Sequence, residues 1–201
     1  MLGDGLARVV SRAIYTCCLA ALACERCFEL WLSARNARWA RAEGAVEYGQ
    51  GHLPTMKLLH GSFLIGCGLE VWFLARPFWP ALAWPCVALV LSSQALRYWA
   101  IATLGRRWNV AVLVLPGVPA EAKGPFLFLR HPNYLAVIIE GVAIPLAHSA
   151  FLSAAVFSIL NAWLLRVRIA CEERALGEHC AYDERLGARR RLVPFGSSSR
   201  D

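Results

Sequence analysis

Arg130-His131-Pro132-Asn133-Tyr134 leads straight into Leu135-Ala136-Val137-Ile138-Ile139, and this junction of a polar turn with an apolar run decides how the chain is read. Pro132 pushes His131 toward an extended backbone and cannot continue a helix arriving from before it. Asn133 is a favoured N-cap residue, so the sequence predicts a helix starting at Tyr134. Such a start carries free backbone N–H groups and the positive end of the helix dipole, here beside Arg130 and His131. It suits an anion, such as the carboxylate of an amino-acid-like cofactor. The same residues would also serve as a basic turn where a helix meets the membrane surface, and spacing alone does not separate the two.

Outward from this turn the chain is greasy. Of 201 residues, 58% are hydrophobic and 17% charged, and the mean hydropathy is positive. Soluble domains carry roughly a quarter charged residues, so lipid is the expected solvent and the bilayer the expected partner. The formal charge of +7 forms no stripe with interleaved aromatics, so nucleic acid is not expected. The basic residues cluster between apolar runs, as membrane topology requires. Lys57 and Lys123 are the only lysines, an arginine skew that points to a GC-rich bacterial genome. Cys24 and Cys27 form a C-x-x-C, but no second pair completes a zinc pattern, and no metal is expected.

The apolar runs predict an all-α, polytopic fold of about five transmembrane helices in one domain, residues 1–201. The first span lies within 9–32, with Ala13 to Cys24 as its uninterrupted part and Glu25, Arg26 and Glu29 at an interfacial end where charges snorkel. Ala21-Leu22-Ala23 also resembles a signal-peptide cleavage point, but the later segments favour a retained helix. Residues 33–54 are polar. Thr55 to Leu74 and Ala81 to Leu104 read as the second and third spans, separated by Arg76-Pro77 and Trp79-Pro80. Pro116, Gly117, Pro119, Gly124 and Pro125 forbid a long helix in 105–133. Tyr134 to Leu146 and Ser149 to Val167 form a final hairpin whose second arm continues past Leu176 into a basic tail. With five spans, the side holding 33–54, 105–133 and the C-terminus carries nearly all the Lys and Arg outside helices; the other side has Arg8, Arg12 and Arg76. The positive-inside rule then puts the chain in the cytoplasmic membrane, N-terminus outside and C-terminus in the cytosol.

Charges inside spans are costly and mark functional candidates. Glu140 lies two turns into the fourth helix, where it is either catalytic or the partner of a helix polar group such as Asn161 or Gln94. Glu70 in the second span falls under the same argument. Arg168, Glu172 and Glu173 continue the fifth helix beyond the membrane, either as a solvated salt-bridged face or as part of a pocket. With upright helices Glu172 would sit roughly 15 Å below Tyr134 at 1.5 Å per residue. The 105–133 loop and the tail would have to fold around that extension to close a pocket.

The ordered set Gly124-Pro125-Phe126, Arg130-His131-Pro132-Asn133-Tyr134, Glu172-Glu173, Tyr182 and Arg191…Pro194-Phe195 resembles the isoprenylcysteine carboxyl methyltransferase family over residues 100–195. Glu29, Arg35-Asn36, Gly44, Glu47, Gly49, His52, Met56 and His60 further resemble a bacterial branch linked to type III polyketide synthases, whose members are taken to O-methylate alkylpyrone-like lipids. The resemblance implies S-adenosyl-L-methionine bound on the cytosolic side and a lipophilic acceptor, with a functional link to a type III polyketide synthase. It implies cofactor contacts from Arg130, His131, Pro132, Asn133 and Tyr134, with Lys123, Gly124, Pro125 and Phe126 lining the pocket. Glu172 and Glu173 would hold the cofactor's amino group or order the pocket, and Arg168 would assist with the acceptor. Catalytic work would then fall to Arg168, Glu172 and Glu140. Val110 to Leu115 is unusually apolar for the family, which puts adenine contacts from that region in doubt.

The competing class is the NADPH-dependent steroid-reductase-like membrane family, which also carries a Pro-Asn-Tyr turn before a late span. There acidic residues follow the Tyr by three and six positions; this chain has Val137 and Glu140. The sequence also admits phospholipid N-methylation or a non-catalytic membrane role.

Overall fold

The computed structural model describes residues 2–192, with side chains described from Gly5 onward except at His52. Pro194-Phe195 and the end of the basic tail lie outside the described residues, as does the side chain of His52. Five long helices dominate: α1 (Leu2–Ala42), α2 (His52–Phe73), α3 (Pro80–Leu104), α4 (Pro132–Leu146) and α5 (Phe151–His179), with a short α6 (Tyr182–Leu186). Among the described residues three stretches are long and apolar enough to cross a membrane, Gly5–Ala42, Pro80–Arg107 and Phe151–His179; α4 is a shorter apolar helix. The outer faces of α2, α3 and α5 carry exposed Phe73, Trp84, Leu91, Ile159 and Trp163. Apolar surface of that extent is expected where lipid is the solvent.

α1 runs ten residues past the expected span. The sequence from Ser33 to Ala42 looks polar but holds no Gly or Pro and is rich in Ala and Arg, both strong helix formers. Ser33, Asn36, Ala37 and Ala40 fall on one buried face. Asn36 Nδ2 donates to Trp108 O at 2.8 Å, and Ser33 Oγ accepts from Val110 N at 2.9 Å, so this extension seats the loop after α3. The helix has ended by Gly44, whose φ of +87° is the left-handed turn that glycine allows at low cost. Glu25, Arg26 and Glu29 do not snorkel at an interface. They turn inward toward α3 and α4, where arginine and glutamine partners wait.

The chain is mostly helical, as expected, with two local differences from the sequence reading. β1 (Val46–Tyr48) pairs antiparallel with β2 (Val112–Val114), Glu47 opposite Leu113, and ties the α1–α2 connection to the α3–α4 connection. The apolar Val110–Leu115 run is therefore half of a small ladder, with Val112 and Val114 buried beneath it. α4 also starts at Pro132 with His131 at the N-cap, so Asn133 is not the cap. Proline suits the first helical position, where its missing N–H would lack a partner anyway and its φ is already helical.

α4 packs between α3 and α5. At Gly141 an added Cβ would come within 2.5 Å of Phe157 Cε1, so glycine here sets the closeness of the α4–α5 hairpin. Glu70, a functional candidate by burial, instead caps α5. Its carboxylate accepts from Leu152 N (3.1 Å) and Ser153 N (2.7 Å) and pairs with Arg76 at 2.7 Å. The first N–H groups of α5 have no intrahelical acceptor, and Glu70 satisfies them from α2.

Candidate functional site

α4 and α5 are antiparallel, and helical side chains lean toward their own N-termini. Tyr134 therefore reaches down from the start of α4 while Glu172 reaches up from the extension of α5, closing the vertical gap expected for upright helices. Tyr134 Oη donates to Glu172 Oε2, and Arg168 Nε donates to Tyr134 Oη at 2.7 Å. A second Arg168 N–H is held by Val110 O, so the loop beside β2 completes the arrangement. The guanidinium is buried.

One step away, His131 Nε2 lies 3.1 Å from Glu173 Oε1 and its ring stacks on Tyr134 with centroids 5.2 Å apart. Arg191 grips the same carboxylate at 3.1 and 2.7 Å, and Arg130 lies 3.6 Å from it. Burial raises the Glu173 pKa, but the hydrogen bonds and charges of His131 and Arg191 outweigh it and hold the group down to about 2. An ionised carboxylate only accepts, so His131 carries its proton on Nε2 and leaves Nδ1 without a partner among the described residues. Burial and the neighbouring Glu173 and Glu172 together push the Tyr182 hydroxyl up, so it stays protonated against His131 Nε2 at 3.3 Å. Because the folded pKa of Glu173 lies below its ordinary 4.5, the stability it contributes is complete above about pH 4.5 and lost as pH falls toward 2. In thermal unfolding in detergent, the wild-type midpoint is expected to fall more steeply across that window than that of Glu173→Gln. Parallel curves would contradict this linkage.

Arg130 serves the chain. Its Nε donates to Arg189 O at 2.7 Å and its backbone N to Arg190 O at 2.7 Å, while His131 N donates to Arg191 O at 3.1 Å. These bonds lay the tail along residues 129–131, which is how Arg191 reaches Glu173.

A cavity of about 570 Å³ runs from this cluster toward the middle of α1, α2 and α3. Small-molecule sites span roughly 300–1,000 Å³. Arg130, His131, Pro132, Asn133, Tyr134, Arg168, Glu172 and Phe126 reach its wall. Lys123 is exposed, and Gly124 and Pro125 form the turn behind Phe126. Gly124, at φ +56°, lies so close to α3 that a Cβ would meet Thr103 Oγ1 at 2.3 Å. Glu173 stands one layer back, bracing His131. Glu140 is held elsewhere: Arg97 grips both its oxygens, and Ser93 Oγ is 3.4 Å away. The partner is neither Asn161 nor Gln94. Arg97, deep in an apolar span, was the sequence signal for it.

Trp108 and Asn109 went unnoticed as site residues in the sequence, and they join Asn133, which was singled out there. Trp108 Nε1, Asn109 Nδ2 and Asn133 Oδ1 are buried atoms without a hydrogen-bond partner among the described residues, and all three residues line the cavity. Buried polar groups are nearly always satisfied, so two donors and an acceptor left open on one wall point to a polar ligand.

The family model for isoprenylcysteine carboxyl methyltransferase matches residues 86–178, from α3 through the paired glutamates to the end of α5. The chain is 38% identical over 162 residues to the Bacillus subtilis uncharacterized protein YpbQ, covering 80% of this chain and 95% of that one. An uncharacterized Haemophilus influenzae protein is 27% identical over 152 residues, 75% of this chain and 88% of the relative. The matched span holds the Arg130–Tyr134 turn, Arg168, Glu172 and Glu173 together, and the chain belongs to the isoprenylcysteine carboxyl methyltransferase (ICMT) family.

Proposed function

We propose that this protein is an integral-membrane methyltransferase that uses S-adenosyl-L-methionine to methylate an oxygen of a lipophilic acceptor. The observation that carries the reading is the set of open polar atoms, Trp108 Nε1, Asn109 Nδ2 and Asn133 Oδ1, in the same cavity as His131, Tyr134 and Glu172. These residues fit the cofactor's chemistry. Glu172 offers a carboxylate to a cationic amino group, and the open donors and acceptor suit a purine edge. At the start of α4, Pro132 lacks an N–H and Tyr134 N and Leu135 N bond His131 O, which leaves Asn133 N for a carboxylate. Bound there, the cofactor supplies an electrophilic methyl on a positively charged sulfur. Arg168 holds Tyr134, and Tyr134 holds Glu172, so the wall is rigid before ligand arrives; alignment of this kind contributes on the order of 7–11 kcal/mol to such displacements.

The other end of the cavity is bordered by Ala23 and Cys27 of α1 and Leu64 and Ile65 of α2, and Ile65 is exposed to the lipid side. A greasy tail would enter there while the cofactor enters from the cytosol. In this reading the chain is one domain of five spans in the cytoplasmic membrane, N-terminus outside, and the acceptor is a carboxylate or acidic hydroxyl of a molecule such as an alkylpyrone or prenyl lipid. A type III polyketide synthase is the proposed functional neighbour.

The test is thermal shift of purified protein in detergent. S-adenosylmethionine is expected to stabilise it and NADPH is not; stabilisation by NADPH alone would overturn the reading. His131→Ala is expected to weaken S-adenosylmethionine binding at least tenfold, and Glu29→Ala to leave it intact.

A further inference from the structure

His60, on α2, lines the membrane-side half of the cavity and has no part in the cofactor cluster. Its Nδ1 lies 2.9 Å from Met56 O, one turn earlier on the same helix. A carbonyl oxygen only accepts, so Nδ1 carries the proton and Nε2 of the neutral ring is a bare lone pair. No hydrogen bond to Nε2 is present among the described residues. The ring is fixed edge-on against Phe157, centroids 5.3 Å apart and planes at 87°. Phe157 also abuts Gly141. His60 therefore stands about two turns above Tyr134 along α4, roughly 10 Å for seven residues. That is within reach of an acceptor head lying above a cofactor seated at Tyr134.

The α1 wall of the same cavity presents a second acceptor: Glu29 Oε1 is buried and receives no hydrogen bond, with Arg97 Nε 3.8 Å away. Two open lone pairs repel a carboxylate head and suit one that still carries a proton. Arg26 on α1, Arg97 on α3 and Arg168 on α5 act on His60 through space, and the first two are paired with Glu25, Glu29 and Glu140. Lys57, on its own helix, also lines the cavity. A molecule crossing from lipid arrives neutral, because a bare charge is costly there.

We propose that His60 Nε2 is the proton acceptor of the reaction, taking the proton of an acceptor oxygen that reaches the cavity still protonated. This rests on the methyltransferase reading. The acceptor oxygen forms its bond to the methyl carbon as the methyl–sulfur bond breaks, its electron pair staying on sulfur as a neutral thioether. The hydroxyl proton passes to Nε2, giving an imidazolium that the cytosol discharges after release.

The test uses 4-dodecyl-2-nitrophenol, whose phenolate absorbs in the visible, with full-length protein held in its S-adenosylhomocysteine complex so that no methyl can move. Wild type is expected to ionise the bound probe at a pH at least one unit below that needed in empty detergent micelles. In His60→Gln the probe is expected to bind but stay neutral over that interval, and methyl transfer to dodecylphenol from S-adenosylmethionine to drop at least thirtyfold. His60→Ala with added imidazole is expected to recover the ionisation. An unchanged absorbance profile in His60→Gln, or an alanine variant that ionises the probe without imidazole, overturns the role of His60. Absence of any thermal shift with S-adenosylhomocysteine in wild type overturns the methyltransferase reading instead, so the two failures are distinct.

Discussion

Arg168→Ala is expected to reduce methyl transfer by at least a hundredfold while the protein still inserts and purifies. The guanidinium touches both the α4 start, through Tyr134 Oη, and the loop beside β2, through Val110 O. Removing it leaves Tyr134 and Glu172 bonded to each other but free to swing. It also leaves Tyr134 Oη without the donor that holds it against Glu172. Breaking a buried charged arrangement by deleting one partner costs about 3–5 kcal/mol, which as lost alignment exceeds a hundredfold in rate. Arg168→Lys is expected to recover little, because one ammonium cannot bond Tyr134 and Val110 with the fixed geometry of a fork. The measurement is initial rate with S-adenosylmethionine at saturating and limiting concentration. Near-normal rates in both variants would remove Arg168 from the site.

Much of the frame was legible in the sequence, and the misses have physical causes. Tyr134, Arg168 and Glu172 could be nominated because polar groups at a helix start and along a helix extension stand out from apolar runs. Their meeting could not be read, since it depends on the opposite lean of side chains on antiparallel helices. The α1 extension was hidden because Ser33–Ala42 is polar on average, and only its one-sided burial against Trp108 and Val110 explains why it stays helical. Asn133 was misplaced as a cap by a rule correct for asparagine but overruled by Pro132. The β1–β2 ladder rests on three residues a side, too short for any alternation to show. Trp108 and Asn109 were invisible for another reason: an open donor is a property of what surrounds it. His60 could be listed by residue type alone, but its bare nitrogen depends on Met56 O.

The second large effect concerns the charges between α1, α3 and α4. Glu25, Glu29 and Glu140 meet Arg26 and Arg97, three carboxylates against two guanidiniums, with Gln94 Nε2 bonding Glu25 at 2.8 Å. Arg97→Met is expected to destabilise the protein severely, by about 3–5 kcal/mol, because it leaves buried Glu140 with only Ser93 Oγ at 3.4 Å and Arg26 at 3.9 Å. Arg97→Met combined with Glu140→Leu is expected to recover most of that loss. The pair then becomes packed hydrocarbon, and Arg26 is left with Glu25 and Glu29 at 3.1 and 2.7 Å. A double-mutant cycle read by thermal unfolding in detergent checks this, the coupling appearing as non-additivity of the two single changes. It also separates the two roles open to Glu140. If the double variant is stable and binds S-adenosylmethionine with methyl transfer largely intact, the carboxylate is a brace for α3 against α4. If it is stable and binds the cofactor but transfers no methyl, Glu140 works on the acceptor through Arg97, whose side chain reaches the cavity wall.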